Sequence, residues 1–203
     1  MSNITDFDAI ILSNAIKEKK VSTTEVMSAY LDHIDKINPK INAIISMRSR
    51  DDLMQEAKVL ENTKSKGWLH GIPFAIKDLA ETKGLRTTWG SPIFKDHIPD
   101  FDSIVSQRIK NAGAIVIGKT NTPEFGLGSH SYNPVHGVTL NPYDITKTAG
   151  GSSGGAAAAL AANLLPVADG SDMMGSLRNP GAFNNIYGFR PSWGLVPTDS
   201  DGD

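Results

Sequence analysis

The sequence has no cysteine among its 203 residues, which excludes a disulfide framework, a thiolate metal site and a cysteine nucleophile together. A chain without thiols fits the cytoplasm, and that is the expected location. It has no apolar stretch of signal-peptide type at its start and no apolar run of about 18 residues, so neither secretion nor a membrane span is inferred. It also lacks an excess of either charge. Twenty Lys and Arg stand against 22 Asp and Glu, a net charge of -2, which gives no reason to expect nucleic acid or an anionic membrane as a partner. The five histidines, His33, His70, His97, His130 and His136, show no HExxH or comparable ligand spacing. Neither a metal nor another cofactor is expected.

What the chain does have is a stretch from Gly150 to Arg178 in which two Gly- and Ser-rich loops bracket a run of small residues. Gly150, Gly151, Gly154 and Gly155 allow close backbone approaches around Ser152 and Ser153. Ala156 to Leu165 then reads as a buried helix whose positive N-terminal end points back at those serines. A strand over Leu165–Ala168 leads to the second loop, Gly170–Ser176. A Gly/Ser run can be a linker, but this one enters an apolar helix directly. It also meets the GxSxG elbow pattern, which needs an acid and then a histidine later in the chain; none follows His136.

Upstream, Asp6–Lys20 and Ser22–Ile37 read as helices, the second with the capping-box spacing of Ser22 and Glu25 and a stop at Asn38 and Pro39. Ile41–Met47 suggests a strand and Asp51–Asn62 a third helix. After Gly67 short apolar runs alternate with Gly and Pro turns, the pattern of α/β organisation. PFAIK is the first such run; its lysine, Lys77, would be a neutral base if buried and merely solvent-reaching if not. Ser103–Asn111 reads as a helix and Ala114–Ile117 as a buried strand, with Lys119, Thr120 and Asn121 at its C-terminal end. Gly113–Thr120 also fits the phosphate-loop pattern GxxxxGK[ST], but its variable positions are the strand itself and Pro123 follows closely. Trp89, Phe125, Tyr132 and Phe183 could line a pocket, although single aromatics favour the core.

The two loops, GGSSGG and GSDMMGSLR, together with GIPFAIKD, resemble the signature of the amidase signature family. AGAIVIGKTNTPEFG and NPGAFNNIYGFRPSWGLVP extend the likeness over nearly the whole chain. The resemblance implies an α/β fold of mixed sheet flanked by helices. It implies that residues 1–203 are an N-terminal portion, with 1–66 a helical region and 67–203 an incomplete catalytic core stopping after the nucleophile loop, in acidic TDSDGD. It implies a serine amidohydrolase in which Ser176 is the nucleophile, Ser152 a bridging serine on a cis peptide bond and Lys77 the base. The backbone N–H groups of Met173, Met174, Gly175 and Ser176 would form the oxyanion hole, with Gly151, Ser153, Asp172 and Arg178 as supporting shell. Met174 departs from the pattern, which has glycine there. The expected partner is a small-molecule amide; a homodimer, or association through surface left uncovered, is a further expectation. Two alternatives remain: a glutaminase-type subunit of a tRNA-dependent amidotransferase, and a non-catalytic relative.

Overall fold

The structure is a computed structural model describing residues 3–197, so the acidic turn-rich end at 198–203 lies outside the described residues. Side-chain caps start the N-terminal helices. Asp8 accepts the Ile10 and Ile11 N–H groups at the head of α1 (Ala9–Lys17), which makes α1 shorter than expected and leaves Ile4–Asp6 as a separate 3-10 turn. Ser22 and Glu25 complete the capping box of α2 (Thr23–Ile41), and Ser49 caps α3 (Arg50–Glu61). The expected stop at Asn38 and Pro39 does not occur. Pro39 forfeits one N–H bond within the last turn, and α2 runs on until Asn42 closes it in the left-handed region, φ 52°. Asn38 instead accepts the Ala43 and Ile44 N–H groups at 3.0 and 2.9 Å, bending the chain into β1 (Ile44–Ile45).

β2 (Pro73–Lys77), α4 (Ile104–Asn111) and β3 (Ile115–Thr120) complete a mixed sheet of order β1-β3-β2, with β1 antiparallel and β2 parallel to the central strand. All six residues of β3 are buried, as befits a strand covered on both faces. This is why GAIVIGKT cannot be a phosphate loop. The ladder contains a bulge: Phe74 pairs with Val116 but Ala75 with Gly118, leaving Ile117 unopposed. One core packs Met27 and Leu31 of α2 and Leu53 of α3 against Ala75, Ile115 and Ile117. The other packs Leu12 of α1 and Val26 and Tyr30 of α2 against Phe74, Ile76 and Val116. α2 thus serves both. No helix among the described residues is long and apolar enough to cross a membrane.

Two small hairpins follow, β4 (Tyr132–Asn133) with β5 (Gly137–Val138), and β6 (Leu140–Asn141) with β7 (Asp144–Thr148). They deliver the chain to the first serine loop and α5 (Gly154–Ala161). This helix ends four residues before the expected Leu165. Asn163 sits at φ 55°, while the Leu164 N–H reaches Ala159 O at 2.8 Å and the Asn163 N–H reaches Leu160 O at 3.0 Å, a Schellman closure. The strand expected over Leu165–Ala168 is also not formed. Pro166 has no N–H to pair, and the Lys77 N–H at the edge of β2 donates to the Asp169 side chain at 2.9 Å. A short α6 (Arg178–Phe183) follows the second loop.

Candidate active site

Lys77 ends β2 with only 2 % of its surface exposed. The Gly150–Gly155 loop wraps over it, also buried. Its Nζ lies 2.7 Å from Ser152 Oγ, 2.9 Å from Ser153 Oγ and 2.9 Å from Ser171 Oγ. No carboxylate oxygen of the described residues is bonded to it. Burial pushes the Lys77 amine down to about 8, against the opposing charges of Asp169 and Asp172. All three hydroxyls can donate as well as accept, so the site can hold a neutral amine: Ser153 Oγ and Ser171 Oγ accept its two N–H bonds, and its lone pair accepts the Ser152 hydroxyl.

The first loop is built for close approach. The Gly151–Ser152 peptide is cis, and a Cβ on Gly151 would stand 2.8 Å from the His130 backbone nitrogen, leaving no room for a side chain. Ser131 Oγ accepts the Gly154 N–H at 3.0 Å, and Asn121 O accepts the Gly155 N–H at 3.1 Å. The first donors of α5, expected to face the serines, are therefore spent on protein acceptors. Ser153 Oγ, besides receiving Lys77, donates to Ser171 O at 3.3 Å.

The second loop hangs on Asp172. Its side chain, with no exposed surface, accepts the N–H groups of Gly175 at 2.7 Å, Leu177 at 3.1 Å and Arg178 at 3.3 Å. It also takes Nη2 and Nε of Arg178 at 2.9 and 3.0 Å. The Arg178 guanidinium, helped by those backbone donors, holds the Asp172 carboxyl far below the usual range. Of the four N–H groups expected to face an oxyanion, that of Gly175 is therefore already donated; those of Met173, Met174 and Ser176 have no hydrogen-bond acceptor among the described residues. The left-handed backbone of this loop falls on Gly175, φ 119°, and Met174 is not in that region. Glycine's freedom is thus required one residue later than the departure at Met174. Ser176 O accepts the Ser153 N–H at 3.1 Å, tying the two loops together, while Ser176 Oγ bonds no described residue.

Two residues of this site escaped sequence reasoning. Ser171 was visible only as the residue after Gly170, and Asp169 as one acid beside a Gly loop; neither has a spacing that singles it out. The aromatic residues also differ from expectation. Phe125, Tyr132 and Phe183 are exposed and Trp89 is half-buried; Tyr132 lies in the two-residue strand β4, Phe183 at the end of α6, and none of the four joins either core cluster. Trp89 packs edge-on against Phe94 with ring centres 4.4 Å apart, and Phe94 meets Phe125 at 6.2 Å. This cluster borders the site, since a Cβ on Gly126 would lie 3.7 Å from Ser152 Oγ.

A buried lysine is thus hydrogen-bonded to serines from two Gly-rich loops at the end of a strand of the mixed sheet. The family model for Amidase matches residues 25–200, and the chain belongs to the amidase signature family. It is 42% identical over 91% of its length to a Glutamyl-tRNA(Gln) amidotransferase subunit of Saccharolobus solfataricus, and 45% identical over 88% to the corresponding subunit of Alkaliphilus metalliredigens. Those alignments cover 38% and 37% of the two relatives, so the chain spans about two fifths of the length of the curated relatives it matches. Among solved structures, a bacterial aryl acylamidase of the amidase signature family superposes with a TM-score of 0.90 at 34% identity, over 97% of this chain and 42% of that one.

Proposed function

We propose that the chain carries the acyl-transfer centre of a serine amidohydrolase, cleaving a carboxylic amide to an acid and ammonia or an amine. Ser176 Oγ attacks the amide carbonyl as its proton passes to Ser152 and the Ser152 proton passes to neutral Lys77. The relay then reverses to protonate the leaving nitrogen, and water hydrolyses the acyl-enzyme on Ser176. The N–H groups of Met173, Met174 and Ser176 are the candidate oxyanion donors, each worth about 10²–10³ in rate in comparable sites. The observation that carries the reading is Lys77 Nζ at 2.7 Å from Ser152 Oγ in a buried pocket of hydroxyls. There an amine pushed down to about 8 is available as a base near neutral pH. The test is covalent labelling with a fluorophosphonate, located by peptide mass, alongside hydrolysis of simple aryl and alkyl amides. Labelling of Ser176 that disappears in Ser176→Ala and in Lys77→Arg supports the reading; an unlabelled Ser176 makes the chain a non-catalytic relative.

Glutamine as the amide donor is a second reading, favoured by the amidotransferase names of the 42% and 45% identical relatives. Ammonia release from glutamine, compared with release of aniline from an acetanilide, separates the two. A chain that turns over the anilide and ignores glutamine is the general amidase.

A further inference from the structure

Lys119 is a second lysine without exposed surface, and the relay does not use it. The bulge at Ile117 pairs it with Ile76 rather than with Lys77. Its amine accordingly turns toward α4, while that of Lys77 turns toward the head of α5. There Nζ donates to Ala80 O at 2.6 Å and Thr82 Oγ1 at 2.9 Å, both in the turn that follows Lys77; Thr82 Oγ1 in turn meets Ser106 of α4 at 3.2 Å. The charged groups around Lys119 are Asp78 and Glu81 from that turn, Asp169 from the segment before the second serine loop, and Lys110 from α4. His136, from the turn of the β4–β5 hairpin, lies 3.9 Å from Asp78 and is kept neutral by burial. Around Lys77 the charges are those of Asp169 and Asp172.

The partners of the two amines differ in kind. Lys77 meets three hydroxyls, which tolerate an –NH2 group. Lys119 donates to a carbonyl oxygen, which can only accept, and to one hydroxyl, and it lies in the field of three carboxylates and the Lys110 ammonium, where Lys77 has two carboxylates. Burial pushes both amines down to about 8, but Lys119 is the one whose surroundings call for the ammonium form.

We infer that Lys119 is a positioning residue for the amine base: it fixes the turn after Lys77 and is the cation that stays with Asp169 when Lys77 is neutral. This rests on the reading of Lys77 as the relay base. Without Lys119, proton loss from Lys77 would leave Asp169 and Asp78 as buried carboxylates with no cation between them, so Lys77 would hold its proton to higher pH. The experiment is an NMR titration of the chain labelled with 13C-lysine, following the Lys77 Cε resonance, assigned through Lys77→Arg. Lys119→Met is expected to raise the Lys77 midpoint by about one unit, and Lys119→Arg, which keeps the charge, to leave it in place. An unchanged or lowered midpoint in a folded Lys119→Met overturns the inference. If that variant does not fold, Asp169→Asn decides: its Lys77 midpoint should fall, and an unmoved midpoint overturns the link. The titration needs no turnover, so it stands apart from the labelling of Ser176 on which the proposed function depends.

Discussion

The two serine loops are held in opposite ways. The Gly150–Gly155 loop is buried throughout, with Ser152 and Ser153 each 2 % exposed, and is bonded by Lys77, Ser131, Asn121 and Ser171. The Gly170–Ser176 loop stands open at Met173 and Met174, 86 % and 88 % exposed, and one carboxylate, Asp172, takes the N–H of Gly175 and those of Leu177 and Arg178 just beyond it. On the proposed reading the proton relay lies in the core, whereas the nucleophile loop lies toward the surface, held by Asp172 and by the main-chain bond from Ser153 to Ser176. Damage to the first loop should cost folding and chemistry together; damage to the second should cost chemistry alone.

Ser176→Ala gives the largest expected effect and the sharpest test of that division. Fluorophosphonate labelling and amide turnover should fall to background while the unfolding free energy moves by less than about 0.5 kcal/mol, because Ser176 Oγ bonds no described residue. A large loss of stability would mean that the second loop is as much a part of the core as the first. Next, Lys77→Arg should lower the labelling rate by about 10³, since a guanidinium does not deprotonate at usable pH. It should also destabilise the chain, because the larger head must enter a pocket of three hydroxyls; an active and stable Arg variant would show that Lys77 supplies only charge.

Asp172→Asn should reduce labelling by about 10- to 100-fold, comparable to losing or misplacing one oxyanion donor, and should speed limited proteolysis at Met173 and Met174. Unaltered proteolysis would mean that other contacts hold the loop. Titration discriminates further. The labelling rate should rise with pH through about 8 as Lys77 becomes neutral, then level. Stability should follow the same sign: Lys77 and Lys119 are depressed from 10.5 to about 8, so the unfolded chain binds more protons in that window. Resistance to urea should therefore increase from pH 8 toward about 10, where the buried Tyr30, whose hydroxyl is pushed up by burial, begins to oppose it. A fall across that window contradicts the burial of both amines. The smallest effect is expected from Met174→Gly, within about threefold in labelling, because Met174 already has a backbone any residue adopts. A gain of orders of magnitude would show that its side chain obstructs the site.

Local signals were legible where one short-range rule decides the outcome. Ser22 and Glu25 announce α2 and Ser103 opens α4, while PFAIK and the apolar run Ala114–Ile117 announce buried strands, the second running on to Thr120. Lys77, Ser152 and Ser176 were reached through a resemblance; the geometry around Lys77 and Ser152 is now explicit, while the Ser176 hydroxyl is tied to the others only through its main chain. What stayed hidden depended on partners distant in sequence. Ser171 and Asp169 acquire meaning from Lys77, more than ninety residues upstream. Leu165–Ala168 reads as a strand by composition, yet the edge donor beside it is claimed by a side chain. The α5 terminus turned on Asn163, a residue whose left-handed tolerance is a weak signal by itself.

The unopposed Ile117 has a consequence in parity. Counting alternate residues along β3 groups Lys119 with Ile115 and Ile117, the face of Ala75 and of the α5 packing. One residue of slack in the ladder inverts that count, so Lys119 falls beside Ile76, and Thr120, whose hydroxyl carries no charge, takes the place opposite Lys77. With an unbroken ladder Lys119 would lie directly opposite Lys77, two ammonium groups competing for one hydroxyl pocket. A single extra residue thereby uses the sheet as a partition between two amines and leaves each with its own set of neighbours.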